Sequence, residues 1–265
     1  MTGLEGLVDY LLGIAGDNRY VLALIGGGIC FLLTFVGALP ALLGTMISRK
    51  MLDIGLGFSA GIMIVASFTS LILPGIELGG VFSVVAGFIL GSFIVALANK
   101  LLPHEHFVKG FEGPESLKRR MKAVWLLVIA IIIHNFPEGL AVGSGIAYSP
   151  RDGLLLAFAI GLQDMPEGFA VAAPLVGMGM SRVRALSIAF LSGAVELFMA
   201  VIPVVLTDIA YSVLPYMLGF AGGAMVYVVS SEVIPETHRH GHEDWASVGF
   251  IIGFLIMLIL DTVLG

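Results

Sequence analysis

Most of the chemistry this sequence can do lies in two short stretches, HNFPEGLAVG at 134–143 and QDMPEGFAVA at 163–172. Each sets two polar residues ahead of an apolar residue, a proline, a glutamate and a glycine. On an α-helix His134 and Glu138 stand at i and i+4, and Asp164 and Glu167 at i and i+3, so each stretch projects its ligating groups from one face. Pro137 and Pro166 each remove the donor for the carbonyl four residues back, at Ile133 and Leu162. Freed carbonyls and a kink are therefore expected beside the acids.

The surroundings of these groups are apolar. A carboxylate near a bilayer centre costs about 2.5 to 3.5 kcal/mol on insertion scales, so Glu138, Asp164 and Glu167 unpaired would forfeit about 8 to 10 kcal/mol. Glu196, in LSGAVELFMA, adds a fourth acid, and no Lys or Arg occurs at comparable depth in the apolar runs. Four carboxylates match two divalent cations in formal charge. Histidine nitrogen mixed with carboxylate and amide oxygen suits zinc or another first-row metal better than calcium. Neutralisation by protons, in a proton relay, is the competing solution. An intramembrane metal-dependent hydrolase is a third reading; the chain has no H-E-x-x-H and more carboxylates than one catalytic zinc needs, so an enzyme is not expected.

The elements that must position these residues are membrane helices. Of 265 residues 58% are hydrophobic and 12% charged, and the mean hydropathy is +1.04, far above an ordinary globular domain. Eight apolar runs, at 20–46, 53–73, 80–102, 122–147, 153–177, 184–207, 211–233 and 246–264, are each about long enough to cross a hydrocarbon core. The fold class expected is all-α, a polytopic membrane protein of eight transmembrane helices and one domain over 1–265. Because consecutive runs cross in opposite directions, the two PEG stretches are related by an approximate two-fold axis in the membrane plane, the arrangement from which many transporters build a substrate site.

Charge placement orients the chain. Arg49, Lys50, Lys100, Lys109, Lys118, Arg119, Arg120, Lys122, Arg182, Arg184 and Arg239 follow runs 1, 3, 5 and 7, leaving only Arg19 and Arg151 of the 13 basic residues for the other side. Such a bias puts those connections in the cytoplasm and both termini outside, in a multi-pass protein of the cytoplasmic (inner) membrane. The start, with Glu5 and Asp9 as its early charges, lacks the basic region of a cleavable signal and reads as retained. A net charge of −6 gives no reason to expect nucleic acid as a partner; divalent metal ions and lipid are the partners implied.

One connection is long, a solvated cytoplasmic loop at about 103–121. It holds His104 and His106; the connection after run 7 holds His238, His240 and His242, and run 7 ends with Glu232 near the same side. These groups could receive a metal leaving the membrane, or simply be solvated. Cys30, the single cysteine, excludes an intrachain disulfide and reads as a small packed residue. Glycines four apart, Gly57 with Gly61, Gly87 with Gly91 and Gly219 with Gly223, permit close helix packing.

The paired motifs, the eight-run layout, the long third loop and EVIPETH in run 7 together resemble the ZIP family of metal transporters, its bacterial branch above all, from about residue 20 to the C-terminus. The resemblance implies that helices 1–3 and 6–8 form inverted repeats around helices 4 and 5. It also implies a two-metal site: His134, Glu138, Gln163, Asp164 and Glu167 with Met63 at the main transport site, and Asn135 and Glu196 completing a second that shares Glu138, Asp164 and Glu167. The implied substrate is Zn2+, with Cd2+, Fe2+ and Mn2+ as further candidates, moved into the cytoplasm; a homodimer is compatible with the family. Two positions depart from its pattern. Ser231 precedes Glu232 where many members have histidine, and Leu197 follows Glu196 where proline is frequent in this branch.

Overall fold

The computed structural model describes residues 3–16, 18–43, 48–101, 104–106, 110–112, 123–177 and 180–264. After a short helix α1 (Gly3–Ala15) come α2 (Arg19–Ala38), α3 (Arg49–Ala66), α4 (Leu73–Leu101), α5 (Ala123–Tyr148), α6 (Pro150–Gly177), α7 (Arg182–Ile209), α8 (Leu214–Val228), the single turn α9 (Ile234–Thr237) and α10 (Glu243–Ile259). Every expected apolar run is one of these helices, with α2 to α8 and α10 as the eight spans. The helix starts follow local chemistry. Asn18 Oδ1 accepts from the amides of Tyr20 and Val21 at 3.0 and 3.3 Å, and Ser48 Oγ from that of Met51 at 3.3 Å, satisfying first-turn donors that have no partner within the helix.

Helical structure continues from Arg49 to Leu101, 53 residues, or about 80 Å if straight, far more than a bilayer holds. Gly80 divides it. Its φ of 76° and ψ of 163° reverse the chain between the second and third spans at a position only glycine occupies without strain. The long third loop contains a minimal antiparallel pair, β1 (His104–His106) with β2 (Gly110–Glu112), where a plain loop was expected.

Helix pairing has an internal symmetry. Exchanging α2 with α7, α3 with α8, α4 with α10 and α5 with α6 maps the α4–α8 pair onto α10–α3, α2–α6 onto α7–α5, and α5–α8 onto α6–α3, and all of these pairs are in contact. This is the contact pattern of two inverted repeats enclosing α5 and α6. Two of the departures from α geometry correspond, the π turns after α3 at Ser67–Ile72 and after α8 at Val229–Val233, while a third at Leu260–Leu264 closes α10. Pro137 and Pro166, where freed carbonyls and a kink were expected, both lie within helical segments, so neither ends its helix. Proline removes one bond, but neighbouring helices hold the φ and ψ of the rest.

Glycine sets the closeness of the pairs. A Cβ on Gly57 or Gly61 would stand 2.2 or 2.1 Å from the carbonyl oxygens of Ala246 and Phe250 on α10, while Gly249 and Gly253 stand in the same relation to Ile54 and Phe58 on α3. On the α4–α8 pair Gly87, Gly91, Gly219 and Gly223 do likewise, with distances of 2.1 to 2.3 Å. Backbone against backbone at this range leaves no flexible side chain to yield. Gly61→Val should therefore lower the melting temperature of the purified protein, with an overpacking cost of about 1–3 kcal/mol or more, whereas Gly28→Ala, which meets nothing within 4 Å, should not. Thermal unfolding followed by size-exclusion chromatography compares them.

Candidate metal centre

Three helices deliver the carboxylates to one place. On α5 the glycines that follow Glu138 let α7 approach: a Cβ at Gly139 would meet the Glu196 carbonyl oxygen at 2.6 Å, and one at Gly143 the Ala200 oxygen at 2.1 Å. Glu196 is thereby drawn against α5. On the other side Gly37 of α2 sits against the Met165 backbone, and Gly168 of α6 against the Thr34 carbonyl, both at 2.0 Å for a built Cβ, so α2 lies directly on the segment carrying Asp164 and Glu167. The glycine of each PEG motif is thus a contact for the neighbouring repeat.

Oxygen atoms of Glu138, Asp164 and Glu167 lie within 4.8 Å of one another. A second group, which also includes Asp164, brings in Glu196 and the sulfur of Cys30 at the same spacing. Glu138, Asp164 and Glu196 are buried and Glu167 is partly so. Amides organise the acids without neutralising them. Gln163 Nε2 donates to Glu138 Oε1 at 2.6 Å and to Asp164 Oδ1 at 2.8 Å, and Asn135 Nδ2 donates to Glu196 Oε1 at 2.6 Å. Thr34 Oγ1 adds contacts of 3.2 and 3.4 Å to the two Glu196 oxygens. Glu138 Oε2, Asp164 Oδ2 and Glu167 Oε1 are buried without a hydrogen-bond partner. Orphaned carboxylate oxygens in a low-dielectric interior are what a cation requires and what an apolar bundle otherwise avoids.

The other anticipated residues divide. Met63 is buried on α3, one turn beyond Ser59, whose Oγ donates to the Gln163 carbonyl at 2.8 Å, and two turns beyond Gly55, which packs on the Pro166 ring. The face of α3 that carries Met63 is the face laid on the second motif. His134, by contrast, points its Nε2 at Glu232 Oε2 of the π turn after α8, 3.0 Å away, and Asn99 Nδ2 donates to the other oxygen of Glu232. Glu232 is therefore joined directly to the first motif instead of standing alone near a helix end. Ser231, where a family histidine is frequent, turns its hydroxyl to the Tyr227 carbonyl at 2.7 Å.

In the connection after α9, His240 Nδ1 and His242 Nδ1 contact the two oxygens of Asp53 at 3.3 and 2.8 Å, and Asp53 is 1% exposed. His238 remains local, its ring nitrogen against the Thr237 hydroxyl and the Ile234 carbonyl. The side chains of His104 and His106 lie outside the described residues. Asp261 accepts from Ser70 Oγ at 2.8 Å, tying the last span to the second.

Asp53, Asn99, Thr34 and Cys30 were not among the residues selected from sequence. A faint signal existed for two of them, since Cys30 and Thr34 share a helix face at i and i+4. For Asp53 there was none, because its histidine partners lie 187 and 189 positions away.

Known proteins are similar to this chain in sequence. Residues 104–261 match the family model for the ZIP zinc transporter, more than half of the chain. The chain is 44% identical over 281 residues to a zinc transporter, ZIPB, of Bordetella bronchiseptica, covering 99% of this chain and 87% of that one. It is 41% identical to zinc transporter GufA of Myxococcus xanthus, covering 88% and 94%, and 32% identical to human zinc transporter ZIP11, covering 95% and 100%. These relatives are transporters by name rather than enzymes, and on this similarity, carried by the region that contains both PEG motifs, the chain belongs to the ZIP family of zinc transporters.

Proposed function

We propose that this protein carries zinc across the cytoplasmic membrane into the cytoplasm through a binuclear site formed by α5, α6 and α7, with cadmium, iron and manganese as further substrates. The observation that carries the reading is the pair of acid groups sharing Asp164, with Glu138 Oε2, Asp164 Oδ2 and Glu167 Oε1 unpartnered inside the bundle. The names of the relatives favour zinc. Glu138, Gln163, Asp164 and Glu167 would hold one ion, with Met63 beside it and His134 turning from Glu232 to complete the shell. Asn135 and Glu196 would hold the second. The inward direction is the one the family resemblance implies, and charge placement, which favours both termini outside, puts Glu232 and the paired histidines on the receiving side.

On this reading Glu232, held by His134 and Asn99, is the next stop on the way to the cytoplasm, and Asp53 with His240 and His242 lies at the far end of that route. Inverted repeats give a means of alternating access, one helix group rocking against the other around a fixed site. Close backbone contact within the α3–α10 and α4–α8 pairs favours movement of those pairs as rigid units.

Purified protein in vesicles holding a trapped metal indicator should take up zinc, and Glu138→Ala or Asp164→Ala should each reduce that flux by at least about tenfold, about 1.4 kcal/mol or more. The double variant should be little worse than either single one, since both remove the same site. Proton movement without metal flux in correctly folded protein would replace this reading with a proton relay. Zinc should also raise the melting temperature, with stabilisation approaching about 2.7 kcal/mol at a hundredfold excess over the dissociation constant. That gain should shrink as pH falls from about 7.5 to about 5, because carboxylates and histidine bind metal only after losing their protons. A pH-independent zinc shift would argue against direct coordination.

A further inference from the structure

We infer that Cys30 is a metal ligand, a soft sulfur donor that joins Asp164 and Glu196 at the second ion position and biases the site toward thiophilic cations such as cadmium and zinc over manganese. This deepens the transport reading above and rests on it.

The fold brings the sulfur there. α2 lies against α6 through Gly37 and Gly168, and against α7 through Gly27, where a Cβ would meet Leu197 Cα at 2.8 Å. Cys30, fully buried on α2, thus faces the acid-bearing segments of both helices. Its Sγ, one oxygen of Asp164 and one of Glu196 lie within 4.8 Å of one another. Tetrahedral zinc with sulfur at about 2.3 Å and oxygen at about 2.1 Å sets such atoms about 3.6 Å apart, so closure by about an ångström forms the shell.

A packing role alone does not account for what surrounds the thiol. Its Sγ lies 3.4 Å from the Ala157 carbonyl oxygen, a long contact that loss of the thiol proton to a metal would replace. Asp164, 1% exposed, gives Oδ1 to Gln163 and has no hydrogen-bond partner at Oδ2, so a buried acceptor in the same group is left for an ion. Glu196 is meanwhile held by Asn135, with the Thr34 hydroxyl beside it, one turn along α2 from the cysteine and shared with the Cys30 carbonyl at 2.9 Å. Both carboxylates are therefore held in place beside the sulfur. A coordinating thiol is deprotonated outright: the sulfur–metal bond replaces the S–H bond and the proton leaves to solvent. Thiolate favours zinc and cadmium, whereas all-oxygen shells suit manganese.

Cys30 is the only cysteine in the chain, so sulfur ligation can be read on the native protein. Titrating the purified full-length protein with cadmium alone should produce an ultraviolet sulfur-to-cadmium charge-transfer band, equivalent to one thiolate per chain and absent from Cys30→Ser. In vesicles, Cys30→Ser and Cys30→Ala should each lower the ratio of cadmium to manganese flux by about tenfold, a ratio that general damage to folding leaves unchanged. If native protein shows cadmium flux that Glu138→Ala abolishes, yet no charge-transfer band appears, the thiol assignment is overturned and the transport reading stands. A band in protein that moves no metal would support the ligand and overturn transport instead.

Discussion

Charge without countercharge at the centre of the bundle is the constraint on which the rest of this structure depends. Glu138, Asp164, Glu167 and Glu196 converge at a depth where the apolar runs carry no lysine or arginine, and the neighbouring amides of Gln163 and Asn135 satisfy only some of their oxygens. Desolvation makes such a cluster costly in isolation and selective in company. On the proposed function, a divalent cation would supply in one step the charge and the ligand bonds that the protein withholds.

Holding the cluster together requires helix backbones to approach more closely than ordinary side chains permit. Glycine makes this possible at every crossing that matters: Gly139 and Gly143 for α5 on α7, Gly37 and Gly168 for α2 on α6, and the two four-glycine sets on α3–α10 and α4–α8. In lipid, where apolar burial contributes little to helix association, these contacts and the interhelical hydrogen bonds from Thr34 and Ser59 are the cohesive terms. Site and scaffold are thus one arrangement, because the motif glycines that bring the acids together also join the repeats.

The paired histidines on Asp53 and the pairing of His134 with Glu232 extend polar groups from the centre toward the side where most basic residues lie. His134 belongs to both regions. It stands one helical turn from Glu138 and makes its contact with Glu232, in the π turn after α8.

Sequence alone was sufficient for the eight spans, the duplicated motif and its acids, because hydropathy and a proline-glutamate-glycine pattern are local properties that survive in one dimension. Gly80 likewise fell at the start of the third expected run, where a chain reversal was required. Which partner each side chain takes was decided only in three dimensions. Asp53 meets histidines almost two hundred residues away, Glu232 meets His134 instead of a neighbouring histidine, and a cysteine read as filler stands among carboxylates. Helical periodicity states which face a residue shares, but only the packing of α2 against α6 and α7 states what that face meets. The prolines belong to the same limit: Pro137 and Pro166 lie within α5 and α6 without ending either helix.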